Sequence, residues 1–179
     1  ALPISSLLGG ALRMNAGAYG GEMKQIVESA EVLTSEGEVL NLTNEELGMG
    51  YRTSVIAKND YVALSAVLKL EKGDRQEIRA YMEDLKERRV TKQPLEFGSA
   101  GSTFKRPEGY FAGKLIQDSG MQGYRVGDAQ VSEKHCGFVI NRGNATAAEV
   151  MQLMKDVADR VEEKFGVRLE PEVRRIGEF

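Results

Sequence analysis

Apolar and polar side chains alternate over residues 61–70, with Val62, Leu64, Ala66, Leu68 and Leu70 on one face, and this period of two predicts a half-buried strand. Residues 26–33 and 38–42 read as two further strands joined by the turn Ser35-Glu36-Gly37. From Asp74 the period lengthens to that of a helix. Ile78, Tyr81, Met82 and Leu85 fall at i, i+3, i+4 and i+7 with charges opposite, predicting a helix over 75–89. A shorter helical pattern covers 111–119 and a strand is predicted over 136–141. Thr146 opens a long helix, with Glu149 three residues on as a capping box. Its apolar stripe is Val150, Leu153, Met154, Val157, Val161 and Phe165.

The change of period near Gly73 separates a β-rich stretch, 1–72, from an α/β stretch, 73–179, so the expected fold class is α+β in two lobes. The first lobe opens abruptly in glycine-rich sequence and is small for a lobe that stands alone, so we expect an N-terminal part to be lacking.

Composition removes several classes. The 179 residues are 41% hydrophobic and 28% charged with a net charge of −3, an ordinary globular balance. The longest near-apolar run, Tyr61 to Leu68, falls far short of the ~20 residues that span a bilayer, so no membrane span is expected. One cysteine, Cys136, and one histidine, His135, cannot build a structural zinc site, and no metal is expected. The unpaired thiol agrees with a cytoplasmic location. Basic residues gather at Lys86, Arg88, Arg89 and Lys92, but the acidic overall charge gives no support for nucleic-acid binding.

Generic catalytic signatures are absent: there is no GxGxxG, HExxH or GxSxG, and Gly109 to Lys114 is too short for a P-loop. The densest candidate is Gly98-Ser99-Ala100-Gly101-Ser102-Thr103-Phe104-Lys105-Arg106-Pro107. It reads either as backbone amides and hydroxyls beside two cations, suited to a phosphorylated ligand, or as a glycine-rich turn before an exposed basic pair. Residues 9–21, rich in glycine and alanine, permit close approach of a flat or phosphorylated cofactor, or tight packing of the backbone on itself. Taken alone, Arg52 reads as a surface cation, Glu172 as a tail carboxylate and His135 as a strand-edge histidine.

Several stretches taken together are far more specific: GGALRMNAGAYGGEM (9–23), GYRTS (50–54), SAGSTFKRPEGYFAGKLI (99–116), GYRVGDAQVSEKHCGFVIN (123–141) and FGVRLEPEVRRIGEF (165–179). In these, and in their order, the chain resembles the UDP-N-acetylenolpyruvoylglucosamine reductase family of peptidoglycan synthesis, in its shorter type. The resemblance implies that 1–72 is the C-terminal part of an FAD-binding domain, and that 73–179 is a substrate-binding domain whose tail, 167–179, returns to the flavin side. It also implies that roughly a hundred N-terminal residues of the family, with much of the FAD site, have no counterpart here.

The implied chemistry uses two cofactors, FAD and NADPH, and one substrate, UDP-N-acetylglucosamine enolpyruvate. Hydride reaches the methylene carbon of the enolpyruvyl ether and a proton reaches its neighbour. The resemblance puts the proton donor at Ser102 and two further catalytic roles at Arg52 and Glu172. Arg52 is suited to pairing with the carboxylate on which negative charge develops, and a protonated Glu172 to donating one more hydrogen bond. Gly9, Gly10, Asn15 and Gly17 fall at cofactor-binding positions, and Lys92, Lys105, Arg106 and His135 at substrate-binding ones. Residues 2–8 differ from the family's usual sequence, and Asp128 stands where a glycine is usual. The alternative is a non-catalytic fragment that folds and binds a UDP-sugar without FAD. In either case the apolar surface left by the missing lobe is expected to promote self-association.

Overall fold

The computed structural model describes residues 7–177; the unusual residues 2–6 lie outside them. The chain divides within one long helix into two compact units, Ala1–Arg79 and Ala80–Phe179.

In the first unit, helix α1 (Leu8–Arg13) leads into a two-residue hairpin, β1 (Gly17–Ala18) and β2 (Gly21–Glu22). An antiparallel sheet in the order β4-β3-β5 follows, from β3 (Val27–Leu33), β4 (Val39–Thr43) and β5 (Val62–Leu68), with the short helix α2 (Val55–Lys58) between β4 and β5. Leu12, Val27, Ala30, Val32, Leu47 and Ile56 form its core. Burial of each large aliphatic side chain there contributes roughly 1.5–3 kcal/mol before chain entropy is charged against it.

The strand predicted over 61–70 ends at Leu68, and of its expected inward face only Ala66 packs on the core. Ala63 pairs with Val32 and Ser65 with Glu31, so Leu64 is an extra residue in a bulge that resets the alternation. Ala63 and Ala66 pack on the core, whereas Leu64 is 52% exposed and Val62, Val67, Leu68 and Leu70 are exposed as well.

Helix α3 (Arg75–Lys92) runs one turn further than predicted. It buries no residue: of its expected inward stripe Ile78, Tyr81 and Met82 are exposed and Leu85 is only partly buried.

In the second unit, α4 (Ala112–Asp118) and α5 (Ala147–Phe165) pack with an antiparallel meander of β6 (Arg125–Val126), β7 (Ala129–Val131) and β8 (Val139–Asn141). Thr146 and Glu149 form the expected reciprocal cap, and Gly166 ends α5 at φ +66°. Leu153, Met154, Val157 and Val161 are buried as predicted, with Ala158 beside them and Val150 partly buried. Phe165 is exposed, with Lys164 Nζ 5.6 Å from its ring centre. Residues 136–138, expected to be strand, instead complete a tight turn closed by the Phe138 N–H to the His135 carbonyl.

Candidate functional site

In the second unit the small-residue stretch 98–105 extends the sheet by isolated bridges rather than as a regular strand. Gly98 pairs with Asn141 and Ser102 with Phe138, while on the other side Phe104 pairs with Pro171 of the tail. Thr103 donates its N–H to the Gly137 carbonyl at 2.9 Å, and its buried Oγ1 accepts the Val139 N–H at 3.0 Å. The tail is bound in the same way, by the Lys105 N–H to the Glu170 carbonyl and the Glu172 N–H to the Thr103 carbonyl, both at 2.8 Å. Ser102 and Glu172 therefore lie on adjacent hydrogen-bonded segments although seventy positions separate them. Ser102 is exposed, and among the described residues its hydroxyl makes no hydrogen bond.

Of the expected substrate-binding cations, Lys105 forms a 3.0 Å ion pair with Glu170, and Arg106 stacks 4.1 Å above Phe111 while donating from Nε to the Tyr110 carbonyl. Lys92 is exposed at the last position of α3.

His135 is half-buried, and burial pushes its imidazole below the ordinary value. Its Nδ1 accepts the Gly137 N–H at 3.1 Å, so the neutral ring carries its proton on Nε2, as a donor. A Cβ at Gly137 would stand 2.9 Å from the ring, and one at Gly113 would stand 3.2 Å from the Gly137 nitrogen and 3.4 Å from the ring. These glycines make room for the histidine, a role that the clustering of glycine alone did not reveal.

In the first unit Arg52 lies in a tight turn closed by paired backbone bonds between Gly50 and Thr53. Its φ is +54°, a left-handed conformation rare for a non-glycine residue and retained where surrounding contacts impose it. The guanidinium reaches the Gly17 carbonyl at 3.4 Å and lies 5.3 Å from the Tyr51 ring centre.

The four residues expected at the cofactor behave differently from one another. A Cβ at Gly10 would meet nothing within 4 Å and one at Gly9 only Ala63 at 3.9 Å, so packing does not demand glycine at either position. That open backbone fits close approach by a flat or phosphorylated group. Gly17 is demanded by the fold, since a Cβ would come within 2.7 Å of Glu22 and 2.8 Å of the Gly21 carbonyl. Asn15 is buried, with its amide bonded inside the chain. Glu22, which sequence reasoning did not single out, has its carboxyl held below the usual range by the Asn15 hydrogen bond, then by Lys24, with a smaller contribution from Arg52. Among the described residues no cluster of acidic, histidine or cysteine side chains could hold a metal, and no helix is long and apolar enough to cross a membrane.

Residues 93–176 match the sequence model described as UDP-N-acetylenolpyruvoylglucosamine reductase, C-terminal domain. Reductases of that name from Lachnoclostridium phytofermentans and Alkaliphilus oremlandii are 61% and 62% identical to this chain over 175 residues. Those alignments cover 98% of this chain and 56% and 58% of the relatives. The crystal structure of UDP-N-acetylenolpyruvylglucosamine reductase from Thermus caldophilus superposes with a TM-score of 0.78 at 37% identity, covering 93% of this chain and 59% of that one. The chain thus spans somewhat more than half the length of these relatives. With this degree of identity along nearly its whole length, the chain belongs to the UDP-N-acetylenolpyruvoylglucosamine reductase family.

Proposed function

We propose that this chain is the substrate-reducing portion of a cytoplasmic, NADPH-dependent, FAD-mediated reductase that converts UDP-N-acetylglucosamine enolpyruvate to UDP-N-acetylmuramate. The observation that carries the reading is the pairing of the Ser102 and Glu172 segments through Thr103, with the Ser102 hydroxyl uncommitted among the described residues. The names of the relatives and the match over 93–176 support it.

The flavin, when bound and reduced, supplies a hydride to the methylene carbon of the enolpyruvyl group. Gly9 and Gly10 offer it open backbone, with Asn15 and Gly17 beyond them in the same segment. Arg52 holds the substrate carboxylate by paired hydrogen bonds and stabilises the charge that develops there. The Ser102 hydroxyl gives its proton to the neighbouring carbon, against which it is held in contact, and recovers one from solvent. Glu172, in its protonated form, adds a hydrogen bond to the developing charge. Lys92, Lys105, Arg106 and the Nε2–H of His135 serve the diphosphate.

Two measurements test this reading. The full-length protein should turn over NADPH catalytically only when UDP-N-acetylglucosamine enolpyruvate is present; no stimulation of turnover by that compound refutes the activity. A second reading, a fragment that binds a UDP-sugar without FAD, is favoured for the isolated chain by its span of little over half its relatives. On that reading the isolated chain leaves FAD fluorescence unquenched, whereas saturable quenching would show that its own residues suffice for the flavin.

A further inference from the structure

We propose that Asn15 is a positioning residue that sets Arg52 for the substrate carboxylate, by tying the Arg52 turn and its neighbouring counter-charge to one buried amide. The inference rests on the reading of Arg52 given above. Asn15 is 2% exposed and sits at φ +46°, a left-handed conformation that asparagine tolerates better than most residues. Its Nδ2 donates to Glu22 Oε2 at 2.9 Å and to the Gly50 carbonyl at 3.1 Å, while its Oδ1 accepts the Lys24 N–H at 2.9 Å. Both amide hydrogens are therefore spent within the chain, which leaves none with which to read a cofactor.

What those bonds reach gives the residue its role. Gly50 opens the turn that carries Arg52, and its carbonyl also accepts the Thr53 N–H at 3.3 Å. Beyond the turn, Ser54 Oγ donates to the Arg13 carbonyl at 2.8 Å, so both ends of the turn are tied to the stretch 13–15. An arginine held left-handed at such a turn relaxes unless its flanks are fixed. The second amide hydrogen fixes Glu22, a carboxylate near enough to Arg52 to feel its charge. A small residue is required at Gly17 for that carboxylate to lie where it does, and the Gly17 carbonyl in turn accepts from Arg52. One amide thus sets the backbone under the guanidinium and the negative charge beside it.

The test is calorimetric, on the oxidised full-length holoenzyme. Two ligands are compared: UDP-N-acetylglucosamine enolpyruvate, which has the carboxylate, and UDP-N-acetylglucosamine, which lacks it. Asn15→Ala should weaken the first about tenfold and change the second by less than about twofold. In an Arg52→Ala background, Asn15→Ala should cost less than about twofold more, because it acts through the residue already removed. If Asn15→Ala does not accumulate folded, Asn15→Gly suits the left-handed backbone, lacks the amide that reaches Glu22 and Gly50, and carries the same expectation. Unchanged affinity for the carboxylated ligand, or losses that add fully to those of Arg52→Ala, would overturn the inference while leaving Arg52's role standing. An Arg52→Ala variant that still prefers the carboxylated ligand as the parent does would instead overturn the reading beneath it.

Discussion

The backbone N–H of Glu172 donates to the carbonyl of Thr103 at 2.8 Å, and through this bond the chain's tail is fastened beside the segment that carries Ser102. Thr103 is the hub: its carbonyl holds the tail, its N–H reaches Gly137, and its buried hydroxyl oxygen accepts the Val139 N–H.

Thr103→Val keeps the shape and removes that hydroxyl acceptor, leaving the Val139 N–H buried and unpaired. A loss of about 1–3 kcal/mol in stability is expected on urea unfolding, by analogy with other orphaned buried donors. Unchanged stability would show that the hydroxyl is dispensable.

Glu172→Gln retains the backbone bond but exchanges the carboxyl group for an amide, a weaker donor. In the full-length reductase it should slow flavin reoxidation by substrate about tenfold or more, with reduction by NADPH spared. Reoxidation at the parent rate would remove Glu172 from the chemistry.

His135 makes stability depend on pH in a defined direction. Burial favours its neutral form in the folded chain, so as pH falls below about 6.5 the unfolded chain takes up a proton that the folded chain resists. Its contribution is fully present above that value and declines as pH falls towards the lower pKa of the folded state. Unfolding of the parent and of His135→Gln, compared at pH 7.5 and 5.5, should show a smaller loss in the variant. An equal loss in both would show that the histidine titrates as it does in the unfolded chain.

The outward face of β5 predicts behaviour at concentration. Leu64 and Val67 are exposed on that strand, and apolar patches of this kind promote association unless covered. The isolated chain should grow in mass with concentration in sizing chromatography with light scattering, and Leu64→Asp should reduce the effect. A strictly monomeric parent chain would contradict this.

What the sequence revealed and what it concealed divide along the range of the forces involved. Helix α5 was legible because its cap, stripe and terminal glycine act within a few residues of one another. The outward turn of Leu64 was not, because one bulged residue against Glu31 and Val32 inverts a face without altering the alternation that predicts it. The two-residue strands β1, β2 and β6 carry too few side chains for any period, and their pairing is set by hairpin geometry. Helix α3 shows a helical period with nothing buried beneath it, so pattern predicted the element without predicting its partner. Ser102, Glu172 and Arg52 stood out through family motifs, but the bond that joins the first two segments spans most of a unit, and no local signal announces it. Asn15 was expected at a cofactor-binding position through the family resemblance. Its amide's three partners became visible only in the fold.

The most direct test of the proposed function is Ser102→Ala in the full-length reductase, followed in two half-reactions by flavin absorbance. Reduction by NADPH should stay within about twofold of the parent rate, since Ser102 has no part in it. Reoxidation by UDP-N-acetylglucosamine enolpyruvate should slow by about a hundredfold or more, the scale of a lost general acid. Reoxidation near the parent rate would contradict the account, because the proton would then come from elsewhere.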